Sequence, residues 1–293
     1  MSNPAESNGQ AEHRITKYAP IINKRMKKIV LSLLAAALTM TALASCDKDT
    51  PVAKPQTYVL VHGAWQAPYV WETVGSDLIK KGNKVIVVEL PGHGSDITPS
   101  HSLTLNVYRD KVIEAITKTG EKVILVGHSM GGMVVTAVAE QIPTKINKLV
   151  YIGAFVPASG QSLGELANTD PDSKLGPQLT QSADKLTLDV NLDSLTYLFI
   201  NDGTPAAKQQ VLDNYRAEPA IPFGDKVTLT KAGFGSVQKV YIKTLRDIVI
   251  SPGFQDRMIA GADIKTVYSV NTSHSPFLAK PQEVSGLLLK IRQ

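Results

Sequence analysis

Cysteine is almost missing from this sequence: Cys46 is the single one in 293 residues. A disulfide within one chain is therefore excluded, and no cluster of His and Cys stands ready to bind a metal. A general basic surplus is missing too. The formal charge is +5, but residues 1–45 hold six Lys or Arg (Arg14, Lys17, Lys24, Arg25, Lys27, Lys28) against Glu6 and Glu12, which leaves 25 basic and 24 acidic residues beyond them. So balanced a remainder carries no electrostatic footprint for nucleic acid. The apolar run Ile29 to Ala44 falls short of a comfortable membrane span, which takes about 20 residues. No internal repeat is evident. What is present is a chain 43% hydrophobic, ample for one sizeable core with a short appendage.

The appendage has its own pattern. Met26-Lys27-Lys28 runs into the apolar stretch Ile29 to Ala44, which closes on Leu43-Ala44-Ser45-Cys46. A positive start, a short apolar centre and small residues before a cleavage point are the parts of a secretory signal. The ending resembles the lipobox of bacterial lipoproteins, in which the cysteine thiol takes a diacylglycerol. This predicts translation from Met26, removal of residues 1–45, a lipid on Cys46, and residues 46–56 as a polar tether. The mature protein is then expected to be exported and anchored to a bacterial cell membrane. An ordinary cleaved signal with an incidental cysteine is the alternative.

From Gln56 onward, short β-branched runs alternate with longer amphipathic ones, the signature of βα units around a parallel sheet. The pattern predicts strands over Thr57 to His62, Lys84 to Glu89, Lys122 to Gly127, Lys148 to Ala154, Val237 to Thr244 and Ile264 to Val270. Helices are predicted at Tyr69 to Lys81, Leu105 to Thr119, Met130 to Gln141, Pro252 to Ile259 and Pro281 to Ile291. The fold class is α/β: a mostly parallel six-stranded sheet flanked by helices, with the core in residues 57–156 and 235–293. Right-handed crossovers bring all strand C-terminal ends to one edge, where chemistry should gather. Between Pro157 and Phe234 the alternation lapses without a convincing strand, and residues 157–234 are expected to form a mostly helical cap over that edge.

Gly127-His128-Ser129-Met130-Gly131 matches G-x-S-x-G, a weak signal alone. Here an apolar strand ends at Gly127 and an apolar helix follows Ser129, so the serine falls on a strand-to-helix corner. Small neighbours allow the tight, strained turn that presents a nucleophilic hydroxyl at the positive end of a helix. Such a hydroxyl needs a base of near-neutral pKa. With the chain order nucleophile, acid, histidine, His274 is the only histidine left after Ser129. His62, His93, His101 and His128 are read as structural or solvent-facing. A carboxylate must hold the imidazole in one tautomer. Asp247, just beyond the strand ending at Thr244, lies on the correct edge and is favoured; Asp263, before the last strand, is the rival. For Asp247, a plain salt bridge with Arg246 or Lys243 is the other reading. The oxyanion of acyl transfer is expected to meet the backbone N–H groups of Met130 and of Ala64, the latter in Val61-His62-Gly63-Ala64-Trp65.

These motifs, LVHGAW, VILVGHSMGG, YIKTLRD with SPGFQ, and SHSPF with KPQE, resemble the branch of the α/β-hydrolase superfamily that holds plant methylesterases, hydroxynitrile lyases and small bacterial esterases. The resemblance covers about Thr57 to Ile291. It implies a six-stranded core with a helical cap, and Ser129, Asp247 and His274 as nucleophile, acid and base. The lyases carry threonine and lysine where this chain has Gly63 and Ser275, so a departing cyanide would meet no cation. The expected function is hydrolysis of small carboxylic esters through an acyl-enzyme, with no metal and no organic cofactor. Amide, lactone or carbon–carbon hydrolysis use the same triad. A non-catalytic binding protein is the second class, and haloalkane dehalogenation, which needs a carboxylate nucleophile, is excluded by Ser129.

Overall fold

The structure is a computed structural model that describes residues 54–292; the expected leader and lipidated Cys46 lie outside them. Six strands build the main sheet: β1 (Thr57–Val61), β2 (Lys84–Val88), β3 (Val123–His128), β4 (Ile146–Ile152), β8 (Lys239–Thr244) and β9 (Thr266–Val270), in the order β2-β1-β3-β4-β8-β9. All five pairings are parallel. The α/β class expected from the alternating pattern is therefore the one found.

Side chains alternate between two cores because strand residues point to opposite faces. Tyr58, Leu60, Ile124, Val126, Val150 and Ile242 pack beneath α1 (Glu72–Lys80) and α10 (Pro281–Ile291). Val59, Val61, Leu125, Leu149 and Tyr241 face α2 (Leu105–Thr117), α3 (Gly131–Gln141) and α8 (Pro252–Gly261). With both faces covered, β1 and β3 are buried throughout their length. That is why they read as continuous apolar runs.

Some boundaries differ from the sequence pattern. β4 starts two residues before its expected position, because the 3-10 turn Pro143–Lys145 delivers buried Ile146 straight into the sheet. Gly153, at φ 46°, ends it.

The segment between β4 and β8 holds the short helices α4 (Leu163–Ala167), α5 (Leu192–Ile200), α6 (Pro205–Asp213) and α7 (Ile221–Gly224). It also holds strands that the sequence did not announce: β5 (Leu179–Gln181), β6 (Thr187–Val190) and β7 (Glu218–Pro219) form a small antiparallel sheet in the order β5-β6-β7. The segment is thus mainly helical among its regular elements, and the expectation that it holds no strand is corrected by this small sheet. Pieces of two to four residues are too short to show a period, and a proline is disfavoured inside a strand. Among the described residues no helix is long and apolar enough to cross a membrane.

Candidate active site

Ser129 occupies the corner between β3 and α3 with φ 52°, in the left-handed region that costs a side chain strain. The turn is packed from behind: a Cβ on Gly131 would lie 2.6 Å from the His62 carbonyl oxygen, and one on Gly63 would lie 2.7 Å from the Ser129 Cβ. The glycines of the two motifs therefore let the first-strand loop press against the serine corner.

His274 is fully buried in the loop after β9, and Asp247 nearly so in the loop after β8. The His274 Nδ1–H donates to Asp247 Oδ2 at 2.8 Å. The same oxygen accepts the Thr244 hydroxyl at 2.7 Å, and Oδ1 accepts the N–H groups of Val249 and Ile250 at 2.8 and 2.9 Å. Arg246 and Lys243 pair elsewhere, with Asp202 and Asp256. Asp263 is exposed and pairs with Lys265. Of the two carboxylates, Asp247 is thus the one that bonds to His274.

With Nδ1 committed to the carboxylate, Nε2 of His274 carries the lone pair, and this buried atom makes no hydrogen bond among the described residues. Its neighbours are His128, whose ring centroid lies 4.6 Å away, and Phe199 at 5.5 Å. The His128 Nε2–H donates to the His274 carbonyl at 2.8 Å, so the residue preceding Ser129 is bonded to the residue that bears the imidazole. Asp202, just beyond α5, accepts the Ser273 N–H at 3.0 Å and also receives Arg246, which pins the His274 loop.

Three other buried histidine features lie close by. Burial holds His128 well below the ordinary histidine pKa, with nearby His274 and His62 adding to the effect. Burial, reinforced by His93, lowers His62 to about 3. For His93, burial would act in the same direction, but the Glu218 carboxylate beside it prevails and raises the pKa.

Ser129, Ala64 and Met130 line one cavity of about 380 Å³. Trp65, Phe155, Leu163, Leu188, Phe223 and Phe254 give it largely apolar walls. Among the described residues, neither the Ala64 nor the Met130 N–H is taken up by a hydrogen bond. Leu198 and Phe199 of α5 are buried but do not line it. A second cavity, of about 510 Å³, adjoins through Phe254, which lines both. Among the described residues no group of three or more His, Cys, Asp or Glu side chains could hold a metal ion.

The alpha/beta hydrolase family model matches residues 58–287, most of the chain. The protein belongs to this family. It is 30% identical over 251 residues to Methylesterase 9 of Arabidopsis thaliana, covering 80% of this chain and 97% of that one. It is also 30% identical to the chloroplastic member numbered 13 of the same plant series, over 82% of this chain, but spans only 57% of that relative's length. Among solved structures, polyneuridine aldehyde esterase superposes with a TM-score of 0.73 at 22% identity, covering 82% of this chain and all of the other, and so shares the fold. An extracellular alpha/beta-hydrolase from a Paenibacillus species gives 0.70 at 27% identity, covering 80% and 98%.

Proposed function

We propose that this family member is a carboxylic ester hydrolase that works through an acyl-enzyme, with Ser129 as nucleophile, His274 as base and Asp247 as its orienting acid. The observation that carries the reading is the buried imidazole of His274, tied to Asp247 through Nδ1 with Nε2 left without a partner among the described residues. In the proposed cycle Ser129 Oγ attacks the ester carbonyl while Nε2 accepts its proton. The tetrahedral oxyanion takes hydrogen bonds from the N–H groups of Ala64 and Met130, and the leaving alcohol departs with the proton from Nε2. Water, activated by the same nitrogen, then releases the acid and frees the serine. The methylesterase relatives and the esterase structures support ester hydrolysis over other uses of the triad.

A lyase reading has less support. Ser275, at the position where the lyases carry lysine, is a buried neutral hydroxyl that accepts the Gln66 side-chain amide at 2.9 Å. An apolar cavity suits uncharged acyl and alcohol groups in small esters. From the sequence alone we also propose the lipid anchor on Cys46. The test of the catalytic reading combines a panel of p-nitrophenyl esters of varied acyl length with a fluorophosphonate probe. Ester turnover and labelling that both vanish in Ser129→Ala are expected; an unlabelled, inactive wild-type protein would favour a binding role.

A further inference from the structure

Glu218 is a fully buried carboxylate, supplied by β7 of the cap segment, that the cycle above leaves unused. Its nearest charged partner is His93, in the loop after β2, whose Nε2 lies 2.9 Å from Oε2 and 3.1 Å from Oε1. The other ring nitrogen, Nδ1, faces the Pro91 carbonyl at 3.0 Å. Both partners only accept, so the ring satisfies them by carrying a proton on each nitrogen. A carboxylate placed without solvent is costly unless so paired, and such pairs call for a reason beyond stability.

The reason lies in a third contact. Glu218 Oε2 also accepts the backbone N–H of Trp65 at 2.8 Å. Trp65 has φ 56°, a conformation in which a bulky side chain is strained and persists only when its surroundings enforce it. Its indole N–H donates to the Leu188 carbonyl of β6 at 2.9 Å, so the cap grips this residue at both ends. The residue before it is Ala64, which lines the same cavity as Ser129 and whose N–H makes no hydrogen bond among the described residues.

We propose that Glu218 is a positioning residue for the oxyanion donor: by holding the Trp65 N–H it fixes the peptide plane that follows Ala64 and keeps the Ala64 N–H aimed beside Ser129. The inference rests on the reading of Ser129 as nucleophile and Ala64 as oxyanion donor. On this view the cap completes the catalytic loop in addition to covering it. His93 serves as the counter-charge that makes a buried carboxylate tolerable at that point.

Two substitutions separate acceptor from charge. Glu218→Gln keeps an oxygen that can accept the Trp65 N–H, while its amide can face a neutral His93. Glu218→Asp keeps the charge near His93 but withdraws the acceptor by one methylene. Each variant is assayed on p-nitrophenyl acetate, with active sites counted by fluorophosphonate labelling, and titrated with an alkyl trifluoromethyl ketone, whose adduct with serine bears an oxyanion. The expected order is Glu218→Gln within about 5-fold of the wild-type kcat and Glu218→Asp down roughly 10- to 100-fold at nearly unchanged KM, with ketone affinity falling in parallel, a misaimed donor costing less than the roughly 100- to 1000-fold of one removed outright. The reverse order, or wild-type kcat and ketone affinity per labelled serine in both, would overturn the proposal and leave Glu218 a docking residue. Wild-type protein that neither labels nor hydrolyses the ester would overturn the reading of Ser129 itself, and the inference with it.

Discussion

The carboxylate of Asp247 receives the Nδ1–H of His274 at 2.8 Å while three further donors, from Thr244, Val249 and Ile250, fix its orientation. Four donors on two oxygens leave the acid one position and the imidazole one tautomer. Gln255 supports the arrangement by bridging the Thr244 backbone and the Ile250 carbonyl.

Asp247→Asn should therefore leave the fold intact but present an amide to Nδ1, which favours the wrong tautomer. A fall in kcat of about 10⁴-fold is expected on a p-nitrophenyl ester, by analogy with the same change in other triads. Circular dichroism checks the fold, and a rate within 10-fold of wild type would remove Asp247 from the relay.

The close approach of the first-strand loop to the serine corner is testable at Gly63. An added Cβ would sit 2.7 Å from Ser129 Cβ and 2.9 Å from His128 Nδ1. Gly63→Ala must therefore displace the corner, and a misplacement of about 1 Å can cost 100-fold in rate. We expect kcat/KM on the acetate ester to fall by that order while stability drops by about 1–3 kcal/mol, as for overpacking. An unaltered rate constant would show that the loop yields without disturbing the nucleophile.

Acid should destabilise the fold well before the carboxylates titrate. His62 and His128 have folded pKa values below the ordinary histidine value, so below about pH 6.5 the unfolded chain binds protons that the folded chain refuses. Each then removes roughly 1.4 kcal/mol per pH unit, for His62 down to about pH 3. His93 acts oppositely: its pKa is raised, so its contribution is complete below the ordinary value and is lost as pH rises through the folded one. Stability should peak near neutrality. Urea midpoints at pH 7 and pH 5 would record the slope, and His62→Gln should flatten it by one proton's share; an identical slope in that variant would reject the assignment.

Phe254 lines both the Ser129 cavity and its neighbour, held by an edge contact to Phe155 at 6.2 Å and by the Arg257 guanidinium 5.0 Å from its ring. Phe254→Ala should join the two spaces at a stability cost of about 3–5 kcal/mol. The acyl-length optimum of the ester panel should lengthen. An unchanged profile would place the acyl group elsewhere in the cavity.

On the proposed lipid anchor, Cys46→Ala should shift the protein from the membrane fraction to the soluble fraction. Several acyl chains on one residue, at about 0.8 kcal/mol per buried methylene, would supply the retention that the variant lacks. Membrane retention equal to wild type would exclude a lipid at this position.

Much of the core was legible because its signals are local or ordered along the chain. β1 and β3 are buried on both faces and read as apolar runs, and the glycine-flanked serine falls where one ends and a helix begins. Asp247 was separable from Asp263 because strand direction decides which edge a residue occupies. The remainder depends on contacts that no local pattern encodes. Glu218 sits in a two-residue strand containing a proline, and its partners lie 125 and 153 residues away. His93 was read only as structural or solvent-facing, and its pairing needs the cap in place. Which aromatic residues line the cavity is likewise a matter of packing: Trp65 and Phe155 do so, whereas Phe199 does not, its ring lying near Trp65 and His274.

β9 is an edge strand of the sheet and, among the described residues, its last in sequence, and the loop that follows it bears His274. A nascent chain still missing that final strand would own a serine corner but no proton acceptor. On the proposed reading, hydrolytic competence would arrive only when β9 and the loop after it join the sheet, so copies cut short before that loop should be inert toward esters.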